Sequence, residues 1–181
     1  INPKYSKIFI KKVINKLKIS NSKLYNYLHK LDSIEKIGSN ILLFAFAGHD
    51  TTGHTLTWLL YELCKNPKYK EILIKEIDDY WKQYKIPTYE SLNDLEFMSK
   101  CIFETLRLWP ALANGTYREL EEDTEILGLN DEYINIEKGT YVQIFNWIKH
   151  RNPELWGPTC NNFDPYRNFE KEETWNTNFN M

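Results

Sequence analysis

The feature that most constrains this chain is a run of helical apolar spacing from about Ser33 to Lys65, interrupted by a polar segment at 47–52. About thirty residues is long for a globular helix, so we expect it to run through the middle of its domain. Gly48 costs about 1 kcal/mol relative to alanine inside a helix, and Asp50 and Thr51 compete for backbone hydrogen bonds. A local rule broken inside an otherwise consistent helix is typical of a functional or strained site.

The chemistry of this segment indicates proton transfer. Asp50 places a carboxyl group beside the hydroxyl of Thr51, and Gly48 next to them has no Cβ. Together they can hold a small polar ligand and relay protons to it. The alternative is a helix kink rich in glycine and threonine that packs against another helix.

Length and charge limit the classes of protein to which the chain belongs. With 181 residues, of which 42% are hydrophobic, it can bury one sizeable core or form part of a larger domain. Its net charge of -2 does not favour nucleic acid as a partner. The first thirty residues are rich in lysine, with apolar residues between the lysines at helical spacing. They predict an amphipathic helix with a solvated basic face, and a membrane-surface or partner helix remains the alternative.

The cysteines predict a reducing compartment. Cys64, Cys101 and Cys160 are an odd number without a Cys-x-x-Cys spacing, which favours free thiols over a disulfide framework. Cys64 and Cys101 fall on predicted helices, where we expect both to be buried. The longest apolar run, Ile41 to Ala47, is far shorter than the ~20 residues that cross a bilayer, and no signal-peptide pattern opens the chain.

Helical spacing fills the chain up to Pro110. Asn66-Pro67 and Ile86-Pro87-Thr88 predict helix boundaries, because proline is tolerated in the first turn of a helix but not in its interior. A later helix holds apolar residues from 95 to 108 and is predicted to end at Trp109-Pro110.

After Pro110 the apolar period changes to that of strands. Short strands are predicted in 116–127 and 133–145, with a turn at Lys138-Gly139. The expected fold class is therefore mainly α with a small β component. We expect a single partial domain over residues 1–181, which divides into a lysine-rich helical lead-in (1–32), a helical core (33–110) and a region of short strands and loops (111–181).

A second constellation combines one glutamate with two arginines. Glu104 and Arg107 lie three residues apart on an apolar helix, so their side chains share a face. Taken alone, such a pair is usually solvated, but its apolar neighbours indicate burial. A buried guanidinium requires several acceptors for its five donors. Arg167, in the segment Phe163-Asp164-Pro165-Tyr166-Arg167, could complete a Glu-Arg-Arg network.

Three motifs in this order resemble the cytochrome P-450 family of haem-thiolate monooxygenases. They are Ala47-Gly48-x-Asp50-Thr51-Thr52, Glu104-x-x-Arg107, and Phe163-x-Pro165-x-Arg167. The resemblance covers the chain from about Leu24 to Arg167. It implies the C-terminal part of the cytochrome P-450 fold, with a long central helix, a Glu-x-x-Arg helix and short strands.

The resemblance also implies roles for individual residues. Asp50 and Thr51 match the acid–alcohol pair that delivers protons to iron-bound dioxygen, and Gly48 lets the helix open locally beside the cofactor. Arg118 lies where the family often places an arginine on a haem propionate; a strand residue facing solvent among Glu119, Glu121 and Glu122 is the alternative. The network of Glu104, Arg107 and Arg167 matches the family's structural triad. The implied cofactor is haem b, and the implied partners are a reductase and a small organic substrate.

The sequence departs from the family where the iron ligand is expected. The family's Phe-x-x-Gly-x-x-x-Cys-x-Gly loop follows the Phe-x-Pro-x-Arg segment, so the cysteine ligand is expected beyond Met181, and Cys160 stands in no such loop. We therefore expect this chain alone to be an inactive monooxygenase that does not bind haem tightly. It is either an excerpt of a complete enzyme or a truncated, non-catalytic paralogue that acts at most as an interaction module. An intracellular, reducing location is favoured, with any membrane anchor in an N-terminal segment outside this sequence.

Overall fold

The computed structural model describes residues 3–20, 23–28, 30–31, 33–128 and 131–167. Helices come first and strands follow, which confirms a mainly α fold with a small β component. The helices are α1 (Pro3–Ile19), α2 (Lys23–Leu28), α3 (Ile34–Lys65), α4 (Pro67–Gln83), a 3-10 helix (Ser91–Asp94), α5 (Glu96–Leu108), α6 (Asn146–Lys149) and α7 (Pro153–Trp156). The strands are β1 (Thr116–Glu119), β2 (Thr124–Leu127), β3 (Tyr133–Ile136) and β4 (Tyr141–Ile144).

The chain divides into two compact units, Ile1–Gly53 and His54–Met181, and the predicted single domain stays a prediction. In the first unit, Ile10 of α1, Leu28 of α2 and Ile41 of α3 form a small buried cluster. Lys7, Lys11, Lys12, Lys16 and Lys18 lie on the exposed side of α1, as its amphipathic pattern predicts. Lys7 also approaches Glu35, with 3.7 Å between Nζ and Oε1.

The middle of α3 is exposed among the described residues. Every residue from 42 to 53 is exposed, including Leu43 and Phe46. A helix that is apolar on all sides is typical of a protein interior. The described residues leave this part of the helix uncovered.

The second unit has the larger core. The end of α3 packs with α4, α5 and the segment after α7 around a buried cluster of Leu59, Leu63, Tyr69, Leu73, Phe97, Cys101, Leu108 and Phe163. Pro67 occupies the first turn of α4, as the sequence predicts. Glu76 of α4 joins α5, since its carboxylate accepts the backbone N–H groups of Phe97 at 2.7 Å and Met98 at 2.9 Å.

Two small antiparallel sheets follow α5. Strand β1 pairs with β4, so that Arg118 lies opposite Val142, and β2 pairs with β3. The predicted turn at Lys138-Gly139 is present, with Gly139 at a φ of 82°. Gly115 precedes β1 at a φ of 69°, where a Cβ would lie 1.6 Å from the carbonyl oxygen of Ile144. Only glycine fits at that position.

The cysteines do not all follow the prediction. Cys101 is fully buried in the core of the second unit, and Cys160 is buried as well. Cys64 is exposed, so the prediction of its burial is wrong. It lies near the end of α3, where the buried positions are Leu59, Glu62 and Leu63. Within the described ranges, no helix is both long and apolar enough to cross a membrane.

Candidate functional site

Glu104 is the centre of the buried polar network in the second unit. Its side chain is 0% exposed, on the face of α5 that packs into the core. Its carboxylate accepts from Arg107 at Nε (2.7 Å) and Nη2 (2.8 Å). It also accepts from Arg167 Nε at 3.3 Å and from the backbone N–H of Asp164 at 2.9 Å. The structure thus brings the three predicted network residues together.

The two arginines use their remaining donors on backbone carbonyl oxygens. Arg107 Nη1 donates to His150 O and Cys160 O, both at 2.6 Å. Arg167 Nη1 donates to Trp156 O at 2.9 Å, and its Nη2 donates to Thr159 O at 2.9 Å. Because a buried ion pair is stable only when its other donors and acceptors are satisfied, these carbonyl oxygens matter as much as the carboxylate. The network therefore holds the segment after α7 against α5.

His150 lies at the edge of this network, at the C-cap of α6. Burial lowers the pKa of His150, and the neighbouring positive charges of Lys149, Arg107 and Arg151 lower it further, although a hydrogen bond of the imidazole to the backbone of Arg107 opposes the shift. Burial therefore favours the neutral imidazole.

The predicted proton-delivery pair lies on an unbroken helix. Asp50 and Thr51 are consecutive and exposed in α3, and the Thr51 hydroxyl donates to Ala47 O at 2.6 Å. That back-bond satisfies a carbonyl one turn earlier and is a common way in which threonine loosens or bends a helix. A Cβ built on Gly48 meets nothing within 4 Å, so packing among the described residues does not require glycine there.

Arg118 is exposed on β1. Its Nη1 donates to the carbonyl oxygen of Tyr117 at 3.1 Å, and within the described ranges it has no carboxylate partner. The neighbouring Glu119 accepts from the hydroxyl of Tyr141 at 2.8 Å. Arg118 is thus available to an external carboxylate, and its assignment to a haem propionate stays a prediction.

An aromatic cluster was not predicted from the sequence. The rings of Trp58 and Trp109 stack with centroids 3.6 Å apart, and Trp109 Nε1 donates to Glu62 Oε1 at 2.9 Å. Trp147 meets Trp109 edge-on at 5.7 Å, and the guanidinium of Arg151 lies over Trp147. The sequence signal for this cluster was the unusual number of tryptophans, six in 181 residues. That number does not indicate which tryptophans contact one another.

A family profile described as Cytochrome P-450 matches residues 7–180, nearly the whole chain. The chain belongs to the cytochrome P-450 family. Cytochrome P-450 3A12 of Canis lupus familiaris is 35% identical over 159 residues, which are 88% of this chain and 29% of that protein. Cytochrome P-450 3A28 of Bos taurus is 35% identical over 147 residues, which are 81% of this chain and 27% of that protein. The chain therefore spans less than a third of the length of these curated relatives.

The fold agrees with the family. A crystal structure of a cytochrome P-450, CYP102L1, superposes with a TM-score of 0.75 at 24% identity, and the match covers 94% of this chain and 40% of that one. It confirms that these helices and small sheets are part of the cytochrome P-450 fold.

Membership of the cytochrome P-450 family implies haem as the cofactor, but the described residues do not fit thiolate ligation of its iron. Burial raises the pKa of the Cys101 thiol to about 12, so this thiol is protonated at neutral pH. Cys160 is 4% exposed, and its carbonyl oxygen accepts from Arg107 of the Glu104 network. Cys64 is an exposed residue of α3. Within the described ranges, no group of three or more His, Cys, Asp or Glu residues could hold a metal ion.

Proposed function

We propose that this chain is a segment of a haem-dependent monooxygenase and contributes the proton-delivery pair, Asp50 and Thr51. The observation that carries the proposal is their adjacency on α3, with the Thr51 hydroxyl bonded to Ala47 O at 2.6 Å, in a chain matched to the family over residues 7–180. In a complete enzyme, haem supplies the activation of dioxygen and the transfer of one oxygen atom to the substrate.

Asp50 and Thr51 suit this task because they combine two kinds of proton carrier. The carboxylate of Asp50 is exposed, so water can reach it. A hydroxyl both donates and accepts, so Thr51 Oγ1 can receive a proton and pass another on by turning away from Ala47 O. Gly48, one turn before Thr52, leaves space beside the helix for a planar ligand.

Family membership supports the remaining parts of the proposal. We propose haem b as the cofactor, with Arg118 on one of its propionates, because the exposed guanidinium suits a carboxylate. A reductase would supply electrons, and the substrate would be a small organic molecule. The three free cysteines support a reducing, intracellular location.

Cysteine geometry also favours a second candidate, a non-catalytic module that does not ligate iron through a thiolate. Haemin added to the chain tests it. We expect the reduced, CO-treated complex to lack the absorption spectrum of a thiolate-ligated haem. A thiolate spectrum that disappears in Cys160→Ser would show that Cys160 is the ligand and would rule out the non-catalytic candidate.

The proton-delivery role is tested in a complete enzyme that contains this segment. Thr51→Ala should keep haem bound but divert reducing equivalents from product to hydrogen peroxide, because the relay hydroxyl is lost. Thr51→Ser retains a hydroxyl and should restore much of the coupling. Thr52→Ala is the matched control on the same helix and should stay coupled. Unchanged coupling in Thr51→Ala would contradict the proposed role.

A further inference from the structure

A cavity of about 310 Å³ in the second unit is not used by the proposed function. It lies where the ends of α3 and α5 meet the segments before and after α7, and its size is at the lower end of small-molecule pockets. Its lining is mostly polar and consists of Glu62, Lys65, Asn66, Leu108, Trp109, Arg151, Asn161, Asn162 and Phe163.

Arg151 is the least satisfied charged group in the cavity wall. Its guanidinium carbon lies 3.4 Å from the ring centroid of Trp147 and 5.4 Å from that of Trp109. Its Nη1 is buried and has no hydrogen-bond partner among the described residues. A guanidinium stacked on an aromatic face keeps its N–H groups in the ring-parallel plane, where they form a fork that matches a carboxylate or a phosphate.

The electrostatic surroundings of Arg151 favour an incoming anion. Burial lowers the pKa of Arg151, and the charge of Arg107 lowers it further, whereas Glu62 and Cys160 oppose the shift. A buried guanidinium N–H without an acceptor is costly, and an anion bound at Arg151 Nη1 would relieve that cost.

The other charged groups at the cavity leave a net positive charge. Lys65 supplies a second cation at the rim. Among the described residues, Glu62 is the only carboxylate in the lining, and its two oxygens already accept from Trp109 Nε1 at 2.9 Å and Asn66 Nδ2 at 3.4 Å. Arg107, though close, donates to Glu104 and to carbonyl oxygens. Two cations therefore face one carboxylate that is already hydrogen-bonded.

We propose that this cavity is a binding site for a small oxyanion, a phosphate or a carboxylate. Arg151 is the anchoring fork, held on the faces of Trp147 and Trp109, and Lys65 is the second cation. The cavity does not include Asp50 or Thr51. It borders the Glu104 network through Asn162, whose carbonyl oxygen accepts from Arg107 Nη2 at 3.2 Å.

The tryptophans that flank Arg151 allow anion binding to be measured by fluorescence. The full chain is titrated with inorganic phosphate, and separately with acetate, at constant ionic strength, while tryptophan fluorescence is followed. We expect a saturable change with at least one of the two anions, and the tighter one identifies the ligand class. Arg151→Gln should weaken binding about tenfold or more, as expected for the loss of charged hydrogen bonds. Lys85→Gln removes a positive charge from an exposed position after α4 and should bind as the unaltered chain does.

Two further variants separate a specific site from general charge attraction. Arg151→Lys keeps the charge but loses the planar fork, so it should bind more weakly than the unaltered chain. Lys65→Gln removes an exposed charge and should weaken binding without affecting the fold, which keeps the test valid if Arg151→Gln does not fold. A fluorescence change that never saturates, or equal affinities in Lys65→Gln and Lys85→Gln, would overturn the proposal.

Discussion

Glu104 shows how much a single buried carboxylate can organise. It accepts hydrogen bonds from Arg107, Arg167 and the backbone of Asp164, which lies 60 residues later in the chain. The arginines then bind carbonyl oxygens of the segment that surrounds α7. The energetic value of the pair lies less in charge attraction than in the penalty for leaving a buried guanidinium unpaired.

Glu104→Ala should therefore destabilise the chain strongly. We expect the free energy of unfolding to fall by about 3 kcal/mol or more, because two largely buried guanidinium groups lose their acceptor. Urea denaturation followed by circular dichroism measures this loss. Glu35→Ala is the control, since the Glu35 side chain is 68% exposed and its ion pair with Lys7 contributes little. Similar unfolding midpoints for the two variants would contradict the burial of the network.

The burial of Cys101 leads us to expect a loss of stability at alkaline pH. Burial raises its pKa from 9.0 to about 12, so above pH 9 the unfolded state releases the thiol proton while the folded state keeps it. The contribution of this residue to stability is therefore complete below pH 9 and declines as the pH rises from 9 toward 12. Cys101→Ala removes the titrating group, so its free energy of unfolding should fall less steeply over that range. Parallel pH profiles for the two proteins would show that the thiol is not buried.

At the scale of elements, α4 and α5 are joined by a side chain that replaces a local cap. The N-cap residue of α5, Leu95, makes no side-chain hydrogen bond to the start of the helix. Instead Glu76 accepts from the N–H groups of Phe97 and Met98, two of the donors that a helix start leaves unsatisfied. The negative charge also complements the positive end of the helix dipole.

Glu76→Ala should destabilise the chain by about 2 kcal/mol, since it removes two charge-assisted hydrogen bonds to the start of a helix. The stability of Glu76→Gln should lie between those of Glu76→Ala and the unaltered chain, because glutamine keeps an acceptor but not the charge. Glu71→Ala, on an exposed position of α4, should change the unfolding midpoint little. Urea denaturation of the three variants measures these differences in stability. Equal stability for Glu71→Ala and Glu76→Ala would show that the hydrogen bonds of Glu76 to α5 contribute nothing.

Local structure could be predicted from the sequence, whereas contacts between elements could not. Prolines place the start of α4 at Pro67 and the end of α5 before Trp109, because proline acts on its own backbone and that of its neighbour. The hydrogen bond between Glu76 and the backbone N–H of Phe97 joins residues 21 positions apart, and no local pattern indicates that contact. Within the site, the motifs gave Glu104, Arg107 and Arg167 as a network but not the carbonyl oxygens they bind. The exposure of α3 depends on which elements cover it, which periodicity does not show.

At the scale of the molecule, the two units differ in the size of their cores. Among the described residues, Ile1–Gly53 has a buried cluster of three, Ile10, Leu28 and Ile41. The described part of His54–Met181 has a buried cluster of eight residues and the ion-pair network as well. Regions with few buried contacts open at lower free energy than regions with many, so the two units should differ in protection from hydrogen exchange.

Hydrogen exchange with mass spectrometry should show this difference directly. The amides of α2 should exchange faster than those of α5, because they rely on the smaller core. Leu28→Ala removes a side chain that is 2% exposed and should accelerate exchange within residues 1–53 while leaving α5 protected. Ile19→Ala is the matched control, since Ile19 is 85% exposed and its truncation removes little buried surface. If Leu28→Ala accelerated exchange equally in α2 and α5, the two units would unfold as one, and the division of the chain into separate cores would be wrong.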